Sequence, residues 1–275
     1  MTEHHVPNSV GAMSLPRYLQ RAWPLLPGYA IKKEDVRLNG ARWDGKAAVR
    51  GGDLLRLYIR DGYLTGPLRK LYADDRILAV EKPAGLPVDV DDLGIGVDTL
   101  LARAVKEYPA ARLCHRLDTG TGGALLLALT EEAEAELREA FAAQRVGKTY
   151  HAMVKACAGN GGRLVHYLRK DARAARVTVL DSPGSGARQA ELYWKPIEHM
   201  GERMLVEVEL MTGRTHQIRA QLAHIGCPLL GDDKYGDRAF NKRWHISSPM
   251  LWCVRLEYGG IAVESKAPFA REEAP

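Results

Sequence analysis

Two short segments hold most of the side chains able to do chemistry. The first runs Cys114-His115-Arg116-Leu117-Asp118-Thr119-Gly120-Thr121-Gly122-Gly123 and continues into an apolar run, 124–129. The second runs Leu210-Met211-Thr212-Gly213-Arg214-Thr215-His216-Gln217-Ile218-Arg219. Asp118 supplies one carboxylate, and Arg116, Arg214, His216 and Arg219 surround it with cationic candidates. A nearby arginine favours the charged form of a carboxylate, so Asp118 is a candidate nucleophile or general base. Either segment alone reads more readily as a buried ion pair beside a capped helix, because short motifs have many accidental matches. The two together, about a hundred residues apart in the chain, supply one carboxylate and several cations.

The flanking elements must bring them together. The run 124–129 is short and wholly apolar, as expected of a buried strand. Thr130 is positioned to cap a helix whose first turn holds Glu131 and Glu132. His115, Arg116 and Asp118 then sit on a Gly- and Thr-rich loop feeding a rigid strand, a common address for function. In the second segment Val206, Val208 and Leu210 alternate with Glu207 and Glu209, which predicts a strand. A helix is predicted from about Thr215, burying Ile218, Leu222 and Ile225 and stopped by Gly226 and Pro228. Arg214, His216 and Arg219 gather at its N-terminus, an end that attracts anions.

The front of the chain has a different character. Of its 275 residues, the first 65 carry ten Lys/Arg against six Asp/Glu, and the rest twenty-nine against twenty-eight. Most of the net charge of +5 therefore lies in the first quarter, a weak pointer to a polyanionic partner. Residues 14–23 predict a short helix, with Ser14 as cap and Pro16 in the first turn. Val36 and Leu38 alternate as in a strand, Asn39-Gly40 predicts a tight turn, and Gly51-Gly52-Asp53 a second turn before a strand over 54–59. The Gly62–Pro67 stretch, GYLTGP, is the best linker, so two domains are expected, 1–65 and 66–275.

These residues resemble known families. Val36, Leu38, Asn39, Gly40, Gly52, Asp53, Leu55 and Leu57 resemble the V-x-V-N-G and G-D-x-L-x-I pattern of the small ribosomal-protein S-four type RNA-binding module. That resemblance makes Arg17, Arg21, Lys32, Lys33 and Arg37 candidates for RNA phosphate contacts. The rest of the chain resembles the RluA family of RNA pseudouridine synthases. His115, Arg116, Leu117, Asp118, Thr121 and Gly123 match its H-R-L-D-x-x-T-S-G motif, with Gly122 standing where the family usually has Ser. Gly213 to Arg219, then Gly226, Pro228, Leu229, Gly231, Asp232, Tyr235 and Gly236 match its later motif. Lys148, Tyr150 and Ala152 match K-x-Y-x-A, and Asp74 through Val88 match D-D-x-I-L-x-V-x-K-P-A-G-L-x-V.

The resemblance implies an α+β fold. A pseudouridine synthase domain with a mixed, largely antiparallel sheet would carry a central catalytic cleft, behind a small N-terminal α+β RNA-binding domain. It implies isomerisation of uridine in RNA through Asp118, with Arg219 pairing to it, Tyr150 stacking on the uracil, Ile218 packing beside the base and Arg116 filling the gap left by a flipped nucleotide. Ribosomal RNA is the expected substrate, that of the large subunit (23S) foremost, and transfer RNA the alternative. A non-catalytic RNA-binding or ribosome-assembly factor on the same fold is the contrasting reading. A hydrolase using Asp118 with His115 or His216 ranks last, since no Ser or Cys nucleophile motif is present.

Other features bound the reading. There is no G-x-G-x-x-G, P-loop, HExxH or metal-ligand spacing, so neither cofactor nor metal is expected. Cys114, Cys157, Cys227 and Cys253 form no CxxC pair and read as free thiols in a reducing cytoplasm. No apolar run approaches a membrane span and no signal peptide is evident, so a cytoplasmic monomer is expected. His115 reads as a structural hydrogen-bonding residue, and His4, His5 and His245 as surface residues. The basic residues Arg163, Arg169, Lys170, Arg173 and Arg176 read equally as an RNA path or a solvated face.

Overall fold

The structure, a computed structural model, describes residues 1–59, 64–171 and 176–270. It divides into two units: Met1–Arg69 with Gly85–Ala111, and Lys70–Ala84 with Arg112–Pro275. Residues 85–111, expected in the second domain, thus pack with the first. Residues 62 and 63 of the expected linker lie outside the described residues.

The first unit holds β1 (Thr2–His5), β2 (Met13–Ser14), α1 (Leu15–Ala22), β3 (Val36–Leu38), β4 (Ala41–Arg42), β5 (Ala48–Val49), β6 (Leu54–Leu57) and α2 (Leu100–Glu107). Its main sheet has the order β1-β6-β3-β4. The Asn39-Gly40 turn forms as expected, both residues having positive φ (52° and 85°). Asn39 also joins the two turns: its Oδ1 accepts from Leu54 N at 2.8 Å, and its Nδ2 donates to Asp53 Oδ1 at 2.8 Å. Leu15, Tyr18, Leu19 and Ala22 are buried, the apolar stripe of an amphipathic helix. Strand β1 was not foreseen. It pairs antiparallel with β6, so His4 is half-buried against Tyr18 and Trp23 rather than lying on the surface. Helix α1 is followed by two single turns of 3-10 helix, Gly28–Ala30 and Lys33–Asp35.

The acidic stretch 89–97 belongs to this unit. Asp91 Oδ1 accepts from Leu93 N and Ile95 N at 2.9 and 3.0 Å, closing a tight loop. Its Oδ2 accepts from Arg21 Nε at 2.9 Å. Val97 N and Asp98 N both donate to Ala22 O at the C-terminal end of α1.

The second unit is built on one sheet. Its strands are β7 (Arg69–Ala73), β8 (Ile77–Lys82), β9 (Arg112–Leu113), β10 (Gly122–Ala128), β11 (Gly147–Lys155), β12 (Gly162–Asp171), β13 (Arg176–Leu180), β14 (Ala187–Met200), β15 (Arg203–Leu210), β16 (Leu251–Tyr258) and β17 (Ile261–Glu264). The order is β13-β12-β14-β15-β11-β16-β10-β8-β7, with β17 on β16 and β9 on β10. The sheet is mixed but largely antiparallel, β10 and β16 being a parallel pair. Every residue of β10 is buried, as its unbroken apolar run requires. In β15 Val206 and Val208 are buried while Glu207 takes Lys195 at 2.7 Å, so the alternation expected of a half-buried strand is present.

Among the described residues three helices complete this unit: α3 (Glu131–Ala142), α4 (Gln217–His224) and α5 (Arg238–Arg243). Thr130 caps α3 by accepting from Ala133 N at 3.1 Å. Helix α4 ends as predicted. Gly226 adopts φ 81°, its N–H donates to Ala223 O, and Cys227 N donates to Leu222 O at 2.9 Å. Among the described residues no helix is long and apolar enough to cross a membrane.

Candidate active site

The loop before β10 is tied down from two sides. Asp118 O accepts from Thr121 N at 3.0 Å, closing a turn. Beneath it Lys82, fully buried at the end of β8, donates from Nζ to Thr119 O at 3.0 Å and to Pro83 O at 3.1 Å. Burial pushes the Lys82 ammonium down to about 7, with the charge of Asp118 opposing that shift. On the other side His115 Nε2 accepts from Leu126 N at 2.9 Å, and its ring stacks on Phe141 at 4.1 Å. Burial lowers its pKa to about 3. A neutral imidazole used as a backbone acceptor is a structural part, as expected from the sequence.

Helix α4 brings the cation to the carboxylate. Arg219 Nη1 lies 3.2 Å from Asp118 Oδ2. The other edge of the guanidinium is bound by buried Asp232, with Nε to Oδ2 at 2.7 Å and Nη2 to Oδ1 at 2.9 Å. Asp232 Oδ1 also accepts from Lys234 N and Tyr235 N, which fixes the loop. Burial on its own would lower the Arg219 pKa, but hydrogen bonding to Asp232, the Asp232 charge and a smaller share from Asp118 raise it instead. Arg219 is therefore a permanent cation pinned on one side and aimed at Asp118 on the other. The Asp118 side chain stays 30% exposed, against 7% for Arg219, so it is the part of the pair open to a ligand.

Tyr150 reaches the same place from the sheet. It faces Cys253 across a bulge in the β11–β16 pairing, and Gly123, five residues after Asp118, pairs with the same Cys253. Burial raises the Tyr150 pKa well above its ordinary value, helped by Cys253 and by the charge of Asp118. It is thus a neutral, buried ring in the field of Asp118. Ile218 is buried on α4 beside Arg219.

The remaining candidates divide. His216 precedes α4 in a left-handed conformation (φ 53°), with Nε2 3.9 Å from Asp118 Oδ2 and Nδ1 3.0 Å from Tyr235 Oη. Arg116 is exposed and makes no hydrogen bond or ion pair among the described residues. Arg214 is turned aside, its Nε donating to Gln189 O at 3.0 Å. In the first unit Arg17, Lys32 and Lys33 are exposed. Arg37 lies over the Tyr58 ring, and Arg21 is tied to Asp91. Arg163 pairs with Glu191, and Arg176 lies over the Tyr235 ring at 5.2 Å; Arg173 is outside the described residues.

The cysteines differ from expectation. Cys157 and Cys227 form a disulfide with Cα atoms 5.4 Å apart, while Cys114 and Cys253 are free. Nothing in the spacing announced a bridge between residues separated by 70 positions.

Two site residues were not singled out from the sequence. Asp232 was visible only as one letter of G-D-D-K-Y-G, and Lys82 as one letter of E-K-P. A lysine or aspartate next to glycine or proline reads as a turn residue until the fold buries it.

Comparison with known proteins places the chain in a family. The model of the family described as RNA pseudouridylate synthase matches residues 76–224. The chain is 29% identical to the ribosomal large subunit pseudouridine synthase C of Rickettsia conorii, over 93% of this chain and 94% of that protein. It is 33% identical to the ribosomal large subunit pseudouridine synthase D of Xylella fastidiosa, over 75% of this chain and 65% of that one. Among solved structures, human RNA pseudouridylate synthase domain containing 1 aligns with a TM-score of 0.64 and 25% identity, covering 74% of this chain and 84% of that one.

Proposed function

The chain belongs to the RNA pseudouridylate synthase family, and from that premise we propose that it converts uridines of large-subunit ribosomal RNA to pseudouridine in the cytoplasm. The names of its relatives, synthases of the ribosomal large subunit, support the choice of RNA.

In the reaction the bond between N1 of uracil and C1′ of ribose breaks, the base turns, and C5 takes the place of N1. A proton leaves C5 and one is gained at N1, so the change is an isomerisation without net oxidation. Asp118 is the proposed essential carboxylate, whether it attacks the sugar or removes a ribose proton. Both roles need a charged carboxylate with one free face and a fixed position. The single observation that carries the proposal is the chain Asp118–Arg219–Asp232. A buried acid holds a cation against a second acid that is still open to solvent.

The target uridine must leave its stack to reach such a site, at a cost of a few kcal/mol. Exposed, unpaired Arg116 is the proposed side chain that occupies the gap. Tyr150 is proposed to stack on the uracil, with Ile218 packing beside it. A protonated His216 would strengthen the field around Asp118, although its burial, only partly opposed by the Asp118 charge, lowers its pKa. The N-terminal unit is proposed to be an S-four-like RNA grip using Arg17, Lys32, Lys33 and Arg37.

The test is a map of pseudouridine in total RNA from cells with the gene, without it, and with Asp118→Asn. One or more large-subunit sites should vanish in the deletion and stay absent in the variant. A lost site in transfer RNA would replace the substrate and keep the reaction. No lost site, or full rescue by Asp118→Asn, would overturn the catalytic assignment.

A further inference from the structure

Away from the Asp118 site, three side chains from three different elements converge. His166 lies on β12, Asp181 follows β13 directly, and His224 is the last residue of α4. Their ligand atoms all lie within 4.8 Å of one another. His224 Nε2 is 2.8 Å from Asp181 Oδ1, and His166 Nε2 is 3.8 Å from the same oxygen. In a tetrahedral site with metal–ligand distances of about 2.0–2.1 Å, neighbouring ligand atoms lie about 3.3 Å apart. The two distances to Asp181 bracket that value.

We propose that His166, Asp181 and His224 bind one divalent transition-metal ion of the zinc class. Two imidazoles and one carboxylate suit zinc, cobalt or nickel better than calcium or magnesium, which take oxygen ligands. Three protein ligands leave a further coordination position for water. The position at the end of α4 also suits a cation, because the last carbonyls of a helix carry partial negative charge.

The surroundings of His166 fit a ligand. Its Nδ1 is 2.9 Å from the side-chain amide of fully buried Gln221, whose Oε1 has no hydrogen-bond partner. With the amide nitrogen facing the ring, Nδ1 is the acceptor. With the amide turned over, Oε1 accepts from Nδ1–H at the cost of the 3.4 Å bond from the amide nitrogen to Ala190 O, and the Nε2 lone pair, 3.8 Å from Asp181, is left free. That is the tautomer a metal requires, held by a second residue as metal-binding histidines commonly are.

The ion would clamp the β12–β13 hairpin to α4, the helix that carries Arg219. Its role is mechanical, and it takes no part in the isomerisation.

The experiment uses the full chain without an affinity tag. Zn²⁺ is titrated in competition with a chromogenic chelator, and Co²⁺ is followed by visible absorption. One equivalent should bind with a micromolar or tighter dissociation constant, Co²⁺ should give the intense visible bands of a tetrahedral site, and Zn²⁺ at about a hundredfold excess over that constant should raise the melting temperature by roughly 5–10 °C. Asp181→Asn and His224→Gln alter solvent-accessible side chains, so folding is retained and circular dichroism should match the parent. Each should weaken binding by about a hundredfold or more, while His199→Ala, at an exposed position of β14, should leave it unchanged. Absence of stoichiometric binding, or binding that survives both ligand variants, overturns the proposal.

Discussion

Asp232 and Asp118 share one guanidinium: the buried acid takes Nε and Nη2 of Arg219, and the exposed acid takes Nη1. The arginine thus has its orientation set by a residue that never meets substrate. Removing the buried acid leaves the arginine only the partly exposed Asp118 at 3.2 Å and the exposed Asp233 at 3.4 Å.

Asp232→Asn should therefore lose both stability and turnover. Breaking one side of a buried pair costs about 3–5 kcal/mol, readable as a shift in the urea midpoint. In the folded fraction the single-turnover rate on an RNA substrate should fall at least tenfold, with little change in RNA affinity. Equal loss of affinity and rate would contradict the positioning role.

Gly122 stands where the family resemblance implies a serine, and the structure leaves no room for a side chain there. A Cβ at Gly122 would sit 2.1 Å from Cζ3 of Trp252. The indole is itself held by Nε1 donating to Ser265 Oγ at 2.7 Å. Gly122→Ser should destabilise by about 1–3 kcal/mol through overpacking. Trp252→Phe, which clears part of that space, should make the serine less costly. A double-mutant cycle of thermal melts should give a favourable coupling above about 0.5 kcal/mol; additive costs would reject the steric account.

Lys82 makes stability depend on pH. Its folded pKa of about 7 lies below the ordinary 10.5, with burial as the main cause. Between those values the unfolded chain binds a proton that the folded chain does not, so stability rises with pH across that window. The slope from this one group is at most about 1.4 kcal/mol per pH unit. Lys82→Met should remove that rise when urea midpoints are compared at pH 7, 8 and 9. An unchanged slope would mean the ammonium stays charged when buried.

The Cys157–Cys227 bridge closes a loop of 70 residues. Constraining the unfolded chain over that length is worth about 4 kcal/mol in the loop-entropy account. Dithiothreitol should lower the melting temperature by several degrees, and Cys157→Ser should melt at the reduced value with or without reductant. A melting temperature indifferent to reductant would show the bridge to be dispensable.

Legibility in the sequence followed from the range of the forces involved. Strand β10 was readable because its whole apolar run is buried, and α3 because Thr130 and the first-turn glutamates are local signals. The Asn39-Gly40 turn was readable because backbone sterics select it. The nearness of Arg219 to Asp118 was implied by the resemblance alone, since no local signal reaches across a hundred residues. Asp232, Lys82 and the disulfide stayed hidden for that same reason: their roles arise from burial and long-range closure. The half-buried β1 was missed because T-E-H-H carries no apolar run, and its pairing to β6 decides its place.

The packing of residues 85–111 with the N-terminal residues changes how the molecule attracts RNA from a distance. Along the chain the charge surplus belongs to the first 65 residues, but the folded unit brings its own acids with it. Met1–Arg69 with Gly85–Ala111 holds thirteen Lys/Arg against eleven Asp/Glu, and the other unit twenty-six against twenty-three. Neither unit is a positive pole. Electrostatic steering, which accelerates encounters when like charges are concentrated on one face, gains little from the net charge of either unit. Recognition then depends on contacts formed after collision, and the association rate should vary less with ionic strength than the residence time on RNA.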